Sequence, residues 1–239
     1  MRWPLLTTSL AIMLAITACG RYNDTVSSAE NMTKTKYNNC IYEFKTEYDG
    51  DNDILGGIPT NINENAVIYA IDWDIAKELL NNDETTYILF SASWCPYCKV
   101  VNGPLTDALV QTKTPIYYVD IEQYPRTQWG AVENEDGVLL PVQTEIHADY
   151  EEFLKEFTER TKELELPTKI LNIDDEIELD TGAQYIGVPA VIKIDNSSKQ
   201  TIETASMKSD LFDITDGLQQ HEVSPMIDHF AEFFTHCQK

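Results

Sequence analysis

The chain has 239 residues, with 17 Lys and Arg against 40 Asp and Glu, giving a formal net charge of −23. That length suits one enlarged domain or two small ones, and 43% hydrophobic with 10% aromatic residues excludes wholesale disorder. A charge this negative repels phosphate backbones, which excludes nucleic acid as a partner and favours basic ones.

Residues 1–18 carry Arg2 near the start, an apolar run from Leu10 to Ile16, and small residues at the end. The run is shorter than the ~20 apolar residues a spanning helix needs, so it reads as an export signal. It closes on Ile16-Thr17-Ala18-Cys19-Gly20, which resembles a bacterial lipoprotein cleavage box, with Cys19 as the first mature residue. Ordinary secretory cleavage beside an incidental cysteine is the plainer alternative. Acyl chains on Cys19 would anchor the protein, each buried CH₂ contributing ~0.8 kcal/mol. Residues 19–39, rich in Ser, Thr, Asn and Lys, then read as a tether, and residues 40–239 as the folded domain. No other stretch is suited to crossing a bilayer.

Glu47-Tyr48-Asp49-Gly50-Asp51-Asn52-Asp53 invites a calcium reading. Ile54 stands where such a loop needs Gly, and Thr60 where it needs Glu, so a solvated loop is expected. Residues 67–71 are β-rich, and Ile75, Ala76, Leu79 and Leu80 recur at helical spacing within 74–82. Residues 87–91 form a short apolar run suited to a strand buried on both faces. A helix opens at the next cysteine pair, and Gly103-Pro104 is expected to break or kink it before Leu105, Leu109 and Val110. Residues 116–121 predict another strand. Strand, helix, strand, helix, strand implies a βαβ core with a right-handed crossover.

The pattern changes over about residues 124–173, which read as a helical insertion. Asp149 and Glu152 suggest a capping box, and Tyr150, Phe153, Leu154, Phe157 and Leu164 form an apolar stripe that Pro167 ends. One amphipathic helix cannot build its own core, so this is no second domain, and the stripe reads as core rather than as a groove. Asp174-Asp175-Glu176 reads as an exposed helix start, with residues 176–186 a short helix or turn. Residues 190–194 and 201–205 flank Asn196-Ser197-Ser198 as a hairpin. Met226, Ile227, Phe230, Phe233, Phe234 and Cys237 define a last helix whose apolar face must cover the sheet.

Five cysteines remain to be sorted. Cys19 is assigned to lipid. Cys40 and Cys237 lie near the two ends of the domain; outside the cytosol they could form a disulfide or stay unpaired. Cys95 and Cys98 stand in Trp94-Cys95-Pro96-Tyr97-Cys98-Lys99. A CxxC after a buried strand and at a helix start sets its first thiol over unsatisfied backbone N–H groups, which stabilise the thiolate, the attacking form. Cys95 is therefore expected to be an exposed nucleophile and Cys98, one turn on, the thiol that resolves its mixed disulfide. Pro96 suits the first helical turn, and Trp94 and Tyr97 would shape the docking surface. The bland readings are a structural disulfide or half a zinc site. Zinc wants four ligands, and His147, His221, His229 and His236 are not spaced to complete it. His229 and His236 read as solvent-facing. Cu(I) handling by an exposed dithiol is a lesser alternative.

The strand 87–91, the Trp94–Lys99 block and Ile186-Gly187-Val188-Pro189-Ala190 before a hairpin together resemble the thioredoxin superfamily, over roughly residues 65–123 and 175–237. The resemblance implies a thioredoxin-like α/β fold, a central mixed sheet with helices on both faces, with the insertion placed before the cis-Pro segment. It also implies that Pro189 is cis and faces the CxxC, and that Val188 offers backbone groups to a substrate strand. Insert and anchor together are similar to the exported thioredoxin-like proteins of Gram-positive bacteria, among them the bacteriocin transport accessory proteins. The chain departs from the superfamily in two places. Where thioredoxins carry a buried Asp six residues before the first Cys, this chain has Leu89, which leaves proton transfer at Cys98 to water or Lys99 because Ser91 and Ser93 are no ordinary bases. The Pro-Tyr dipeptide is the glutaredoxin choice rather than the thioredoxin one.

The expected function is thiol–disulfide exchange on exported proteins at the extracytoplasmic face of a bacterial membrane. Its partners are protein or peptide thiols and disulfides and a membrane redox protein, and it needs no cofactor and no metal. The alternative class is a non-catalytic anchored module that holds a secreted peptide or an exporter.

Overall fold

The structure is a computed structural model that describes residues 37–48, 61–160, 166–172, 177–195, 201–205 and 218–235. Apart from Tyr37 these belong to one compact unit of residues 38–239. The export signal, Cys19, Leu164, Asp174-Asp175-Glu176, Asn196-Ser197-Ser198, His236 and Cys237 lie outside the described residues.

The centre is β2 (Thr85–Ser91), whose continuous apolar run is buried on both faces apart from its first residue. It pairs in parallel with β3 (Ile116–Asp120), which pairs in parallel with the edge strand β1 (Ile68–Ala70). On its other side β2 runs antiparallel to β8 (Ala190–Asp195), and β8 antiparallel to β9 (Thr201–Ala205). The result is a five-stranded mixed sheet in the order β1-β3-β2-β8-β9.

Alternation along β2 tells which helix covers which face. Tyr87 meets Phe233 and Phe234 of α5 (Val223–Thr235) and donates its hydroxyl to the Phe234 carbonyl at 2.9 Å. Three residues on, on the opposite face, Phe90 stacks on Trp73 of α2 (Trp73–Leu80) and packs on Phe153 of α4 (Ala148–Arg160). α3 (Pro96–Thr112) packs on α5 and so shares the Tyr87 face. The fold is thus mixed α/β with helices on both faces of the sheet.

Several expectations are corrected. Residues 124–173 are not purely helical. They open with an antiparallel hairpin, β4 (Gln128–Glu133) and β5 (Leu139–Glu145), whose turn is set by Asn134 Oδ1 accepting the Asp136 and Val138 N–H groups and by Gly137 at φ 77°. β6 (Lys169–Asn172) pairs antiparallel with β7 (Ile177–Asp180), so residues 177–180 are strand rather than helix or turn. Asp149 lies in the first turn of α4 rather than capping it. The insertion's apolar stripe is core as expected: Tyr150, Phe153, Leu154 and Phe157 are buried. Pro104 does not break α3, which runs through to Thr112. The helix is held on both sides by packing that outweighs one missing N–H.

The N-terminal side holds the largest surprise. Glu47 and Tyr48, read as the start of a solvated loop, are the last residues of a helix, α1 (Ile41–Tyr48), which buries Ile41, Phe44 and Tyr48. Asn39, read as tether, fastens this helix to the sheet edge. Its Oδ1 accepts the Ile41 and Ile68 N–H groups at 3.2 and 3.1 Å, and its backbone bridges Tyr69. Phe44, Tyr48 and Tyr118 of β3 then form an aromatic cluster, with Phe44 edge-on to Tyr118 at 5.0 Å.

Candidate functional site

The site lies where β2 runs into α3. Cys95 is the N-cap of α3, with extended backbone and with Pro96 at the first helical position. Its Sγ accepts the Cys98 N–H at 3.2 Å, as a capping serine oxygen would. The Val188–Pro189 peptide bond is cis, and the Val188 carbonyl lies 3.7 Å from Cys95 Sγ. Cys95, Cys98, Val188 and Pro189 are thereby brought together, as expected.

The two thiols differ. Cys95 is held below the ordinary thiol range, first by the hydrogen bond from the Cys98 thiol, then by the Cys98 and Tyr97 N–H groups and the Arg126 charge, against burial. Cys98 is pushed far above that range by burial, then by the hydrogen bond to Cys95 and its negative charge. The negative charge is thereby favoured on Cys95 and the proton on Cys98.

Cys95 is only 2% exposed, not the open nucleophile expected, because the cis-Pro loop leans on it. What stands open is its surround: Trp94 is 57% exposed and Tyr97 38%. Beside Trp94 opens a cleft of about 470 Å³ whose other walls include Glu122, Arg126, Trp129 and Tyr185. Trp129 comes from the insertion's hairpin.

Arg126 and Tyr150 are the site residues that the motif does not reveal. Arg126 donates to the Ile186 carbonyl at 2.6 Å and lies over the Tyr185 ring. The Tyr150 hydroxyl accepts the Ile186 N–H at 3.2 Å. Both polar groups of Ile186, three residues before Pro189, are therefore held by side chains from residues 124–173. Trp73 anchors the same region, donating Nε1 to the Tyr124 carbonyl at 3.0 Å and packing edge-on to Tyr150.

Beneath Cys98 lies a buried polar group that the sequence places in no motif. Ser91 is fully buried, its hydroxyl accepts from Asn102 Nδ2, one turn beyond Cys98 in α3, at 3.2 Å, and it acts to lower both the Cys98 thiol and the Tyr48 hydroxyl against their burial. The Tyr48 and Tyr118 hydroxyls are 3.0 Å apart, and Tyr118 donates to Glu47 Oε2 at 3.3 Å. One carboxylate oxygen from each of Glu47, Asp120 and Glu122 lies within 4.8 Å of the other two. Burial, then the Asp120 charge, raises Glu47 above the usual carboxylate range.

Cys40 takes no part in this site. It is a half-buried free thiol that donates to the Ile68 carbonyl at 3.4 Å, and burial raises it. Cys237, its expected partner, is outside the described residues. His229 is half-buried against Phe230 rather than fully solvent-facing. No helix among the described residues is long and apolar enough to cross a membrane. Comparison with known proteins finds no family model and no curated protein that matches the chain.

Proposed function

We propose that the chain is a thiol–disulfide oxidoreductase of thioredoxin-like fold, exported, held by lipid on Cys19, and acting on cysteines or disulfides of exported proteins. The observation that carries this reading is the geometry at Cys95: a sulfur capping a helix, receiving the Cys98 N–H, and facing the carbonyl of a cis-Pro peptide. The sheet order β1-β3-β2-β8-β9, with β8 and β9 antiparallel, supports the fold assignment.

In the reductive direction Cys95 thiolate attacks one sulfur of a substrate disulfide, and the other leaves as thiolate. Cys98 then attacks Cys95 Sγ, the substrate's second sulfur departs, and the pair is left as a disulfide. Oxidation runs the same steps backwards. Trp94, Tyr97 and the cleft walled by Trp129 and Tyr185 offer apolar surface to the residues flanking the substrate cysteine, and the net charge of −23 favours basic segments.

The test is the equilibrium redox potential of Cys95–Cys98, read by thiol trapping and mass spectrometry so that Cys40 and Cys237 are scored apart. A value near roughly −270 mV makes the protein a reductant, and one near roughly −120 mV a disulfide donor. A pair that cannot be cycled sinks the reading.

The second reading, an anchored module that binds a partner without chemistry, is favoured by the 2% exposure of Cys95. Full function in Cys95→Ser and Cys98→Ser chains would establish it in place of the first.

A further inference from the structure

The resolving step has a proton to dispose of, and the position from which thioredoxins dispose of it holds Leu89. Burial keeps the proton on Cys98 once Cys95 is tied up in the mixed disulfide, yet only the thiolate attacks. Building on the dithiol reading above, we propose that this chain replaces the missing acid with a hydroxyl relay, in which Ser91, Tyr48 and Tyr118 carry the Cys98 proton to the Glu47 carboxylate.

The direction of the relay follows from counting protons. A carboxylate only accepts, so the Tyr118 hydroxyl spends its one proton on Glu47. Tyr118 must then accept from Tyr48, 3.0 Å away. Tyr48, its proton spent, is left to accept from Ser91, the buried hydroxyl that Asn102 holds beneath Cys98. The Ser91 proton is thereby committed, and its lone pairs are left for Asn102 Nδ2 and for the Cys98 S–H. Every step of the relay then points from Cys98 to Glu47. When the proton moves, each hydroxyl passes its own proton on and takes the one behind it. Ser91 ends as a donor to the new Cys98 thiolate, and no tyrosine need ionise.

The balance closes. In the mixed disulfide, Cys98 S–H gives its proton to the relay and Glu47 becomes a carboxylic acid. The Cys98 thiolate forms a bond to Cys95 Sγ, and the bond from Cys95 to the substrate sulfur breaks. The substrate leaves as thiolate and takes its proton from water, and Glu47 later returns its own to water. The substrate disulfide gains the two electrons that the dithiol loses.

Glu47 is suited to the end of such a path. It is half-buried and shares its corner with Asp120 and Glu122, so it holds a proton more readily than a lone carboxylate while remaining open to solvent. The groups facing it are Tyr118 and Asp120 from β3 and Glu122 beyond it. Cys40 and Tyr48 belong to its own end of the chain.

The experiment uses the full chain carrying Cys19→Ser, Cys40→Ser and Cys237→Ser, reduced and mixed with 5,5′-dithiobis(2-nitrobenzoate). The first thionitrobenzoate released reports attack by Cys95, and the second reports resolution by Cys98. In Glu47→Gln and in Tyr118→Phe the second release should slow by at least about a hundredfold, the low end for a positioned proton acceptor, while the first changes less than about twofold. In the parent the second release should fall in acid as Glu47 takes up a proton. That acid limb should vanish in Glu47→Gln and persist in Glu47→Asp. A second release within about twofold of the parent, acid limb intact, overturns the relay and leaves the dithiol reading standing. Equal slowing of both releases, or a Glu47→Asp chain as slow as Glu47→Gln, gives Glu47 a structural part only and also overturns it. A parent that makes no second release overturns the dithiol reading, and the relay with it.

Discussion

Leu89 on β2 is the register partner of Tyr118 on β3, so the two side chains stand on one face of the sheet. The same register sets Ser91 beside Asp120. The face that carries Leu89 therefore carries a hydroxyl and a carboxylate one strand over. Tyr48 reaches in from α1 to the same face, its hydroxyl 3.0 Å from that of Tyr118. Four expectations follow from the surrounding contacts.

Arg126 lends its charge to Cys95 while donating to Ile186. In Arg126→Gln the Cys95 thiol should titrate higher, and its alkylation by iodoacetamide at neutral pH should slow by about two- to fivefold, the worth of a partly exposed charge at ~0.5–1 kcal/mol. Unchanged alkylation rates across the pH range would mean that Arg126 only holds the loop.

Tyr150→Phe removes the acceptor for the Ile186 N–H and leaves that donor buried. A loss of about 1–3 kcal/mol in urea unfolding is expected, with an altered rate of Cys95 alkylation because the Val188–Pro189 peptide that faces it lies two to three residues on. Stability equal to the parent would show that the peptide finds another partner.

Phe153 is fully buried between Trp73, Phe90 and Phe157, with ring centroids at 5.3, 5.8 and 5.7 Å. Phe153→Ala should cost about 3–5 kcal/mol, because α4 covers the Phe90 face of the sheet together with α2. A loss below about 1 kcal/mol in denaturant titration would mean that α4 is not part of the cooperative core.

The acid corner makes stability fall as pH rises. Asp120, raised by burial and then by the Glu122 charge, is like Glu47 higher in the folded chain than in the unfolded one. For such groups the folded state binds more protons, so their contribution is complete below the unfolded value and is lost as pH climbs through the folded one. Asp120→Asn should therefore stabilise the protein at neutral pH, by no more than about 1 kcal/mol for a half-exposed charge, and make little difference in acid. Melting temperatures across that range would show it, and an Asn chain that is less stable at pH 7 would refute the charge argument.

What could be read from the residues was whatever is local. The runs at 87–91 and 116–121 announce strands because a strand buried on both faces leaves nothing but apolar side chains, and Cys95-Pro96 announces a helix start. The hairpin β4–β5 carries its own signal in Asp136-Gly137, a turn dipeptide between two runs that lack helical spacing. α1 was hidden differently. Ile41, Phe44 and Tyr48 lie at helical spacing, but the acidic stretch after them drew Glu47 and Tyr48 into a loop. Nothing local joins Tyr48 to Tyr118, 70 residues apart, or Arg126 to Ile186, 60 apart. Those pairings come from strand register and from a helix docked at the sheet edge.

The attachment of α1 through Asn39 bears on where the working unit begins. A chain trimmed to start at the sheet would look whole by every mark of the motif. It would keep both thiols, the cis-Pro peptide and the aromatic cleft, but would discard Glu47 and Tyr48. The excised piece would present the motif without the polar groups that the structure gathers beneath Cys98, so the shortest complete version of this site is longer than the portion that carries its signature.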